Sequence, residues 1–194
     1  MSALTPELTG ASHPETALPT GQQWTIGHGP FEATVVEVGG GLRTLSRAGV
    51  DLVAGYEPHE RCASGRGQQL MPWPNRIRDG RYTFEGTERQ LSITEVPLGN
   101  ASHGLVRWAL WELVELEEAS VTVGYRLHPQ PGWDHFLDLR TTCSPSALRH
   151  TRAAVHRSPR CEATMEASAP PSRTASSSAE APSPATTSAS STWR

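Results

Sequence analysis

Between Gln22 and Cys143 the chain never holds an apolar pattern long enough to build a helix. Apolar and β-branched residues alternate over short runs, and Gly, Pro or Asp breaks each run. A period of two puts successive side chains on opposite faces of a strand. The runs are Trp24 to Ile26, Phe31 to Val38, Leu42 to Leu45 after Gly39-Gly40-Gly41, and Val50 to Val53 after Ala48-Gly49. Arg81 to Phe84 and Arg89 to Ile93 flank Glu85-Gly86-Thr87, a hairpin signal because Gly takes positive φ at low cost. Leu105 to Leu116 and Val121 to Leu127 form a pair turning near Glu117 to Ser120, and Phe136 to Thr142 is the last strand. Ala109 to Glu118 carries the Leu and Glu of a helix, but its aromatic residues and the strand after it favour β. Many short strands with Gly/Pro turns predict an all-β fold, an antiparallel β-sandwich.

Composition divides the 194 residues into zones. Residues 1–21 are polar and Pro/Thr-rich and read as a flexible leader. Residues 22–143 are the β domain. Residues 144–194 are dominated by Ser, Ala, Pro and Thr, with Leu148, Val155, Met165 and Trp193 their only large apolar side chains. Such a segment buries no core and reads as a low-complexity, disordered tail. The formal charge of −3 gives no global reason to bind nucleic acid or an anionic membrane. No apolar run is long enough to span a bilayer, and the N-terminus lacks the basic start and apolar stretch of a signal peptide. The three cysteines, Cys62, Cys143 and Cys161, are odd in number and widely spaced. They suggest neither a disulfide framework nor a metal site. A cytoplasmic protein is the expectation.

Two polar clusters fall on loops between strands, where binding and catalysis concentrate. Asn75-Arg76 follows Pro72-Trp73-Pro74, whose prolines stiffen the loop. Arg offers a planar fork of donors and Asn both a donor and an acceptor, a set suited to hydroxyls. Trp73 is able to stack on a sugar face. The bland alternative makes Asn75 a turn residue, Arg76 a surface ion pair and Trp73 core. His103, next to Gly104, is able to exchange a proton near neutrality. Its bland alternative is a hydrogen bond to a turn. His128, Asp134, His135 and Asp138 lack the spacing of a metal site. Glu112, Glu115, Glu117 and Glu118 read as a solvated face. Arg149, Arg152, Arg157 and Arg160, with His150 and His156, imitate a nucleic-acid arm but have no interleaved aromatics. Gly39-Gly40-Gly41 lacks the Lys-Ser/Thr and the helix of a phosphate loop.

In order and content these motifs resemble the aldose 1-epimerase (galactose mutarotase-like) family. The residues that carry the resemblance are Val36 to Leu42, Gly67 to Ile77, Asp79 to Tyr82, Asn100 to Trp108 and Arg126 to Gly132. The resemblance implies a β-supersandwich that binds free aldohexoses and interconverts their α and β anomers, an isomerase with no metal and no organic cofactor. It implies that Asn75, Arg76 and His103 contact the sugar, with His103 catalytic. It also implies a general base, a Glu near the C-terminus, and a general acid, a second His in a His-Pro-Tyr-like segment. Neither motif is recognisable in this chain.

The resemblance ends near Thr142-Cys143, where the composition changes. All 17 basic residues counted as Lys or Arg are Arg, which suggests a GC-rich coding sequence. The expectation is a truncated family member whose residues after about 143 are an out-of-frame translation. Its partner is then a monosaccharide, with no nucleic acid and no membrane. The alternative is a non-catalytic carbohydrate-binding protein or pseudoenzyme using the same loops. A third class is an interaction protein acting through its Arg-bearing tail.

Overall fold

The structure, a computed structural model, describes residues 18–145 and 160–168. Four strands form the first sheet in sequence order: β1 (Gln23–His28), β2 (Phe31–Val36), β3 (Leu42–Arg47) and β4 (Val50–Asp51). Every pairing is antiparallel. Two small ribbons follow, the first from β5 (Arg76–Arg78) and β8 (Asn100–Ser102), the second from β6 (Arg81–Phe84) and β7 (Thr87–Gln90). A 3₁₀ turn at Val96–Leu98 precedes β8 and is the one helical element among the described residues. The second four-stranded sheet has the order β12 (Arg160–Ser168), β11 (Phe136–Ser144), β10 (Ser120–Leu127), β9 (Glu112–Glu117).

Inward-facing residues of both large sheets form one core, as the alternation predicts. Trp24, Ile26, Ala33, Val35 and Leu45 come from the first sheet, and Val121, Val123, Leu127, Leu139 and Cys143 from the second. Met71, Val106 and Trp111 enter the same core from the connecting segments. The Gly27 N–H donates to the Glu118 carbonyl at 3.0 Å, tying the edge of the first sheet to the β9–β10 turn. The expected hairpin is present, with Glu85 and Gly86 as its two turn residues at φ 50° and 75°. Positive φ at both positions matches the right-handed twist of the flanking strands.

The structure departs from the sequence reading in four places. Leu105 to Trp111 is not a strand. Its backbone is used elsewhere: the Trp111 N–H donates to the Glu37 carbonyl at 2.9 Å, and the Ala109 carbonyl accepts from Gly39 at 2.9 Å. The leader is partly packed, since Thr20 is buried and its hydroxyl donates to the Pro58 carbonyl at 2.9 Å. Within the expected tail, 160–168 forms β12 along β11. Cys161, Ala163, Met165 and Ala167 alternate there with Glu162, Thr164, Glu166 and Ser168, a strand pattern hidden in a Ser/Ala-rich background. Cys143 is disulfide-bonded, and Cys161 stands opposite it in the register. The cysteine spacing suggested no disulfide, and the bond at Cys143 corrects that expectation. Cys62 is free and buried. The rest of the leader (1–17) and of the tail (146–159 and 169–194) lies outside the described residues.

Strand β9 confirms the β reading of Ala109 to Glu118 in its central part. It is an edge strand, and all six of its residues are exposed. Its glutamates face solvent, and charge is one means by which an open edge resists pairing with another chain.

Candidate functional site

The site is built on the smallest ribbon of the fold. Strands β5 and β8 pair antiparallel with Arg76 opposite Ser102 and Arg78 opposite Asn100. One step beyond this register, Asn75 meets His103. The His103 N–H donates to the Asn75 carbonyl at 2.8 Å. The Asn75 N–H donates to His103 Nδ1 at 3.0 Å. Both residues are in the left-handed region, at φ 67° and 62°. Asn and His are among the non-glycine residues that tolerate it best. The reciprocal bond has a chemical consequence. Nδ1 is an acceptor, so the neutral imidazole carries its hydrogen on Nε2.

Arg76 is held from one side. Its Nε donates to Glu95 Oε2 at 2.6 Å and its Nη2 to Glu95 Oε1 at 2.7 Å, a fork-on-fork pair. Asn100 Nδ2 donates to the same Oε2 at 3.0 Å. Donation from Arg76 and then Asn100 lowers the Glu95 carboxyl to about 2. Nη1 of Arg76 and the Asn75 side-chain amide make no hydrogen bond to any described residue, and both residues are exposed. A guanidinium edge, an amide and an imidazole N–H are thus available at one end of the ribbon.

The imidazole of His103 is held below its ordinary value, first by burial and then by the charges of Arg107 and Arg76, with Glu95 opposing. A folded-state value below the unfolded one means that the unfolded chain takes up the proton first. Stability is therefore unaffected well above the ordinary histidine value of about 6.5 and falls as pH drops below it. An NMR titration of His103, assigned with His103→Gln, is expected to give a midpoint below that of a free imidazole. A midpoint at or above it would contradict the effect of burial and of the Arg107 and Arg76 charges on this imidazole.

Trp73 is half-buried rather than open, and its ring lies 6.4 Å from that of Trp133. Its indole N–H is buried without a hydrogen-bond partner among the described residues, as is that of Trp133. Trp73 is therefore largely packing, as the bland reading had it, and Arg76 does make a surface ion pair. The loose polar group further along is dispersed. Asp138 pairs with Arg126 at 2.6 Å and Asp134 with Arg89 at 2.8 Å. His128 sits edge-on to Phe136, and His135 edge-on to Phe84 and Trp133. Among the described residues no three His, Cys, Asp or Glu side chains gather to hold a metal. No helix among them is long and apolar enough to cross a membrane. Arg149, His150, Arg152, His156 and Arg157 of the tail lie outside the described residues. A surface cavity of about 590 Å³ opens at the β1–β2 turn, lined by residues such as His28, Phe31 and Glu118, and none of the site residues lines it.

Sequence reasoning missed Glu95 and the role of Asn100. No motif marks Glu95, and Asn100 stood in a motif without a role of its own; they matter because the β8 pairing and a backbone bridge between the two residues bring their side chains to Arg76.

The aldose 1-epimerase family model matches residues 22–144. The uncharacterised Escherichia coli K12 protein YihR is 38% identical over 136 residues, 70% of this chain and 44% of that protein. Among solved structures, the GalM/aldose epimerase homologue from C. elegans aligns with a TM-score of 0.64 at 19% identity, covering 76% of this chain and 46% of that one. A galactose 1-epimerase from Lactobacillus acidophilus aligns at 0.56 and 14% identity, covering 74% and 43%. The chain thus spans less than half the length of these relatives. The structural likenesses show a shared galactose mutarotase-like fold, and the family match across the β domain shows that this chain belongs to the aldose 1-epimerase family.

Proposed function

We propose that the chain supplies the sugar-holding part of a mutarotase centre, serving the interconversion of α and β anomers of a free aldohexose such as glucose or galactose. The observation that carries this reading is the locked Asn75–His103 pair beside a side-on Arg76. Together they offer neutral and cationic donors and one amide acceptor, the set that hydroxyls of an uncharged sugar require. A preorganised set also reduces the ordering cost of binding.

Anomer exchange needs two proton carriers. A base takes the proton of the anomeric hydroxyl while an acid protonates the ring oxygen as the C1–O5 bond breaks. The aldehyde then rotates and recloses with the roles reversed. In this reading His103, neutral and protonated on Nε2, hydrogen-bonds the sugar at the reacting end and carries a proton. Glu95 is a poor base. Its carboxyl value is about 2 and both its oxygens are bound to Arg76. That commitment is the specific observation favouring a second reading, sugar binding without catalysis.

Freshly dissolved α-glucose or α-galactose, followed by polarimetry, separates the two. Catalysis predicts acceleration over buffer that falls by about 100-fold or more in His103→Ala, the usual range for a general acid–base group. Sugar binding detected by NMR without acceleration supports the second reading. Neither acceleration nor binding overturns both.

A further inference from the structure

We infer that Glu95 is the positioning residue of this site, fixing the Arg76 guanidinium in the one orientation that presents Nη1 to a sugar hydroxyl. The inference rests on the proposed sugar-holding role of Arg76. An exposed ion pair is ordinarily loose and worth little. This one is different in construction. Both carboxylate oxygens are used, on Nε and Nη2, so the guanidinium plane is set rather than merely attracted.

The carboxylate is itself held from behind. Asn100 Nδ2 donates to Oε2. The backbones of Glu95 and Asn100 bridge reciprocally, with N–H to O distances of 2.9 and 3.3 Å. Asn100 opens β8, the strand whose far end delivers Ser102 and then His103. Glu95 therefore ties the Arg76 fork to the same backbone that places the imidazole. Two of the five guanidinium N–H groups are spent on Glu95, and those on Nη1 are left for a ligand. A Lys in place of Arg76 has no plane to orient, so the device requires arginine.

A double-mutant cycle on the full chain, read by NMR titration with D-galactose and D-glucose, tests this. If Arg76, once released, spends about a tenth of its time in the competent orientation, Glu95→Gln weakens sugar affinity about tenfold. In an Arg76→Ala background the same substitution is expected to change affinity less than twofold, because Glu95 acts through Arg76. Glu95→Asp, which keeps the charge but shortens the reach, is expected to restore affinity only in part. The Arg76 Nε–H signal gives a reading on the native chain: it should be a sharp, slowly exchanging resonance that broadens in Glu95→Gln. Sugar binding by the native chain with unchanged affinity in Glu95→Gln overturns the positioning role alone. An equal loss in both backgrounds also overturns it alone. Absence of sugar binding by the native chain overturns the proposed function and this inference together.

Discussion

Trp111→Ala is expected to cost about 3–5 kcal/mol of folding stability, the range for deleting a large aromatic from a packed core. Total stability for a domain of this size is about 5–15 kcal/mol, so the variant loses a large share of it. Trp111 is fully buried in the core shared by both sheets. Its ring lies 5.9 Å from that of Tyr125, and its indole N–H donates to the Val106 carbonyl at 3.4 Å. The hole left by alanine has poor means of closing. Its floor is Gly40, where even a Cβ would lie 2.6 Å from the Trp111 ring, so that residue has no side chain to swing inward. The backbone at Trp111 is also pinned, because its N–H is bound to Glu37 at 2.9 Å. Urea unfolding followed by far-ultraviolet circular dichroism measures the loss. A cost below about 1 kcal/mol would show that the two sheets are not cemented at this point. Trp111→Phe keeps most of the volume and is expected to fall well below the alanine value.

Much of this architecture was legible because strand alternation survives in plain sight. Phe31 to Val38 reads as a strand and is one as far as Val36, Val121 to Leu127 and Phe136 to Thr142 read as strands and are strands, and Glu85-Gly86 turns where a two-residue hairpin should. What was illegible depends on partners remote in sequence. Leu105 to Trp111 has strand composition, but its backbone hydrogen bonds are drawn off by Glu37 and Gly39. Strand β12 is signalled by alternating apolar and polar residues in a segment whose composition alone suggested nothing ordered. At the site, Asn75, Arg76 and His103 stood out through their motifs. Their arrangement did not, because β5 and β8 are three residues each, too short for periodicity to declare. Glu95 was silent and the role of Asn100 within its motif was too: side chains that act by holding another side chain carry no pattern of their own.

Gly104→Ala is expected to damage the site more than any substitution at an exposed turn. Gly104 has φ 73°, a conformation that costs an alanine about 1–2 kcal/mol by itself. The larger problem is space, since a Cβ there would overlap the Met71 carbonyl oxygen. That oxygen accepts the Leu105 N–H at 2.8 Å, and Met71 is buried in the core. The strain is therefore relieved more readily toward His103 than toward Met71. Movement of His103 breaks its reciprocal bonds with Asn75 and frees the imidazole to lose its defined tautomer. Gly86→Ala is the matched control, with φ 75° and nothing within 4 Å of the added carbon. Both variants bear the conformational cost, and only Gly104→Ala bears the clash. Gly104→Ala should thus be the less stable of the two in urea. It alone should shift the His103 imidazole resonances and raise their titration midpoint toward that of a free imidazole. Equal stabilities, with His103 unmoved in both, would mean that the loop yields without disturbing the pair. Preorganisation of His103 by the Gly104–Met71 contact would then be wrong.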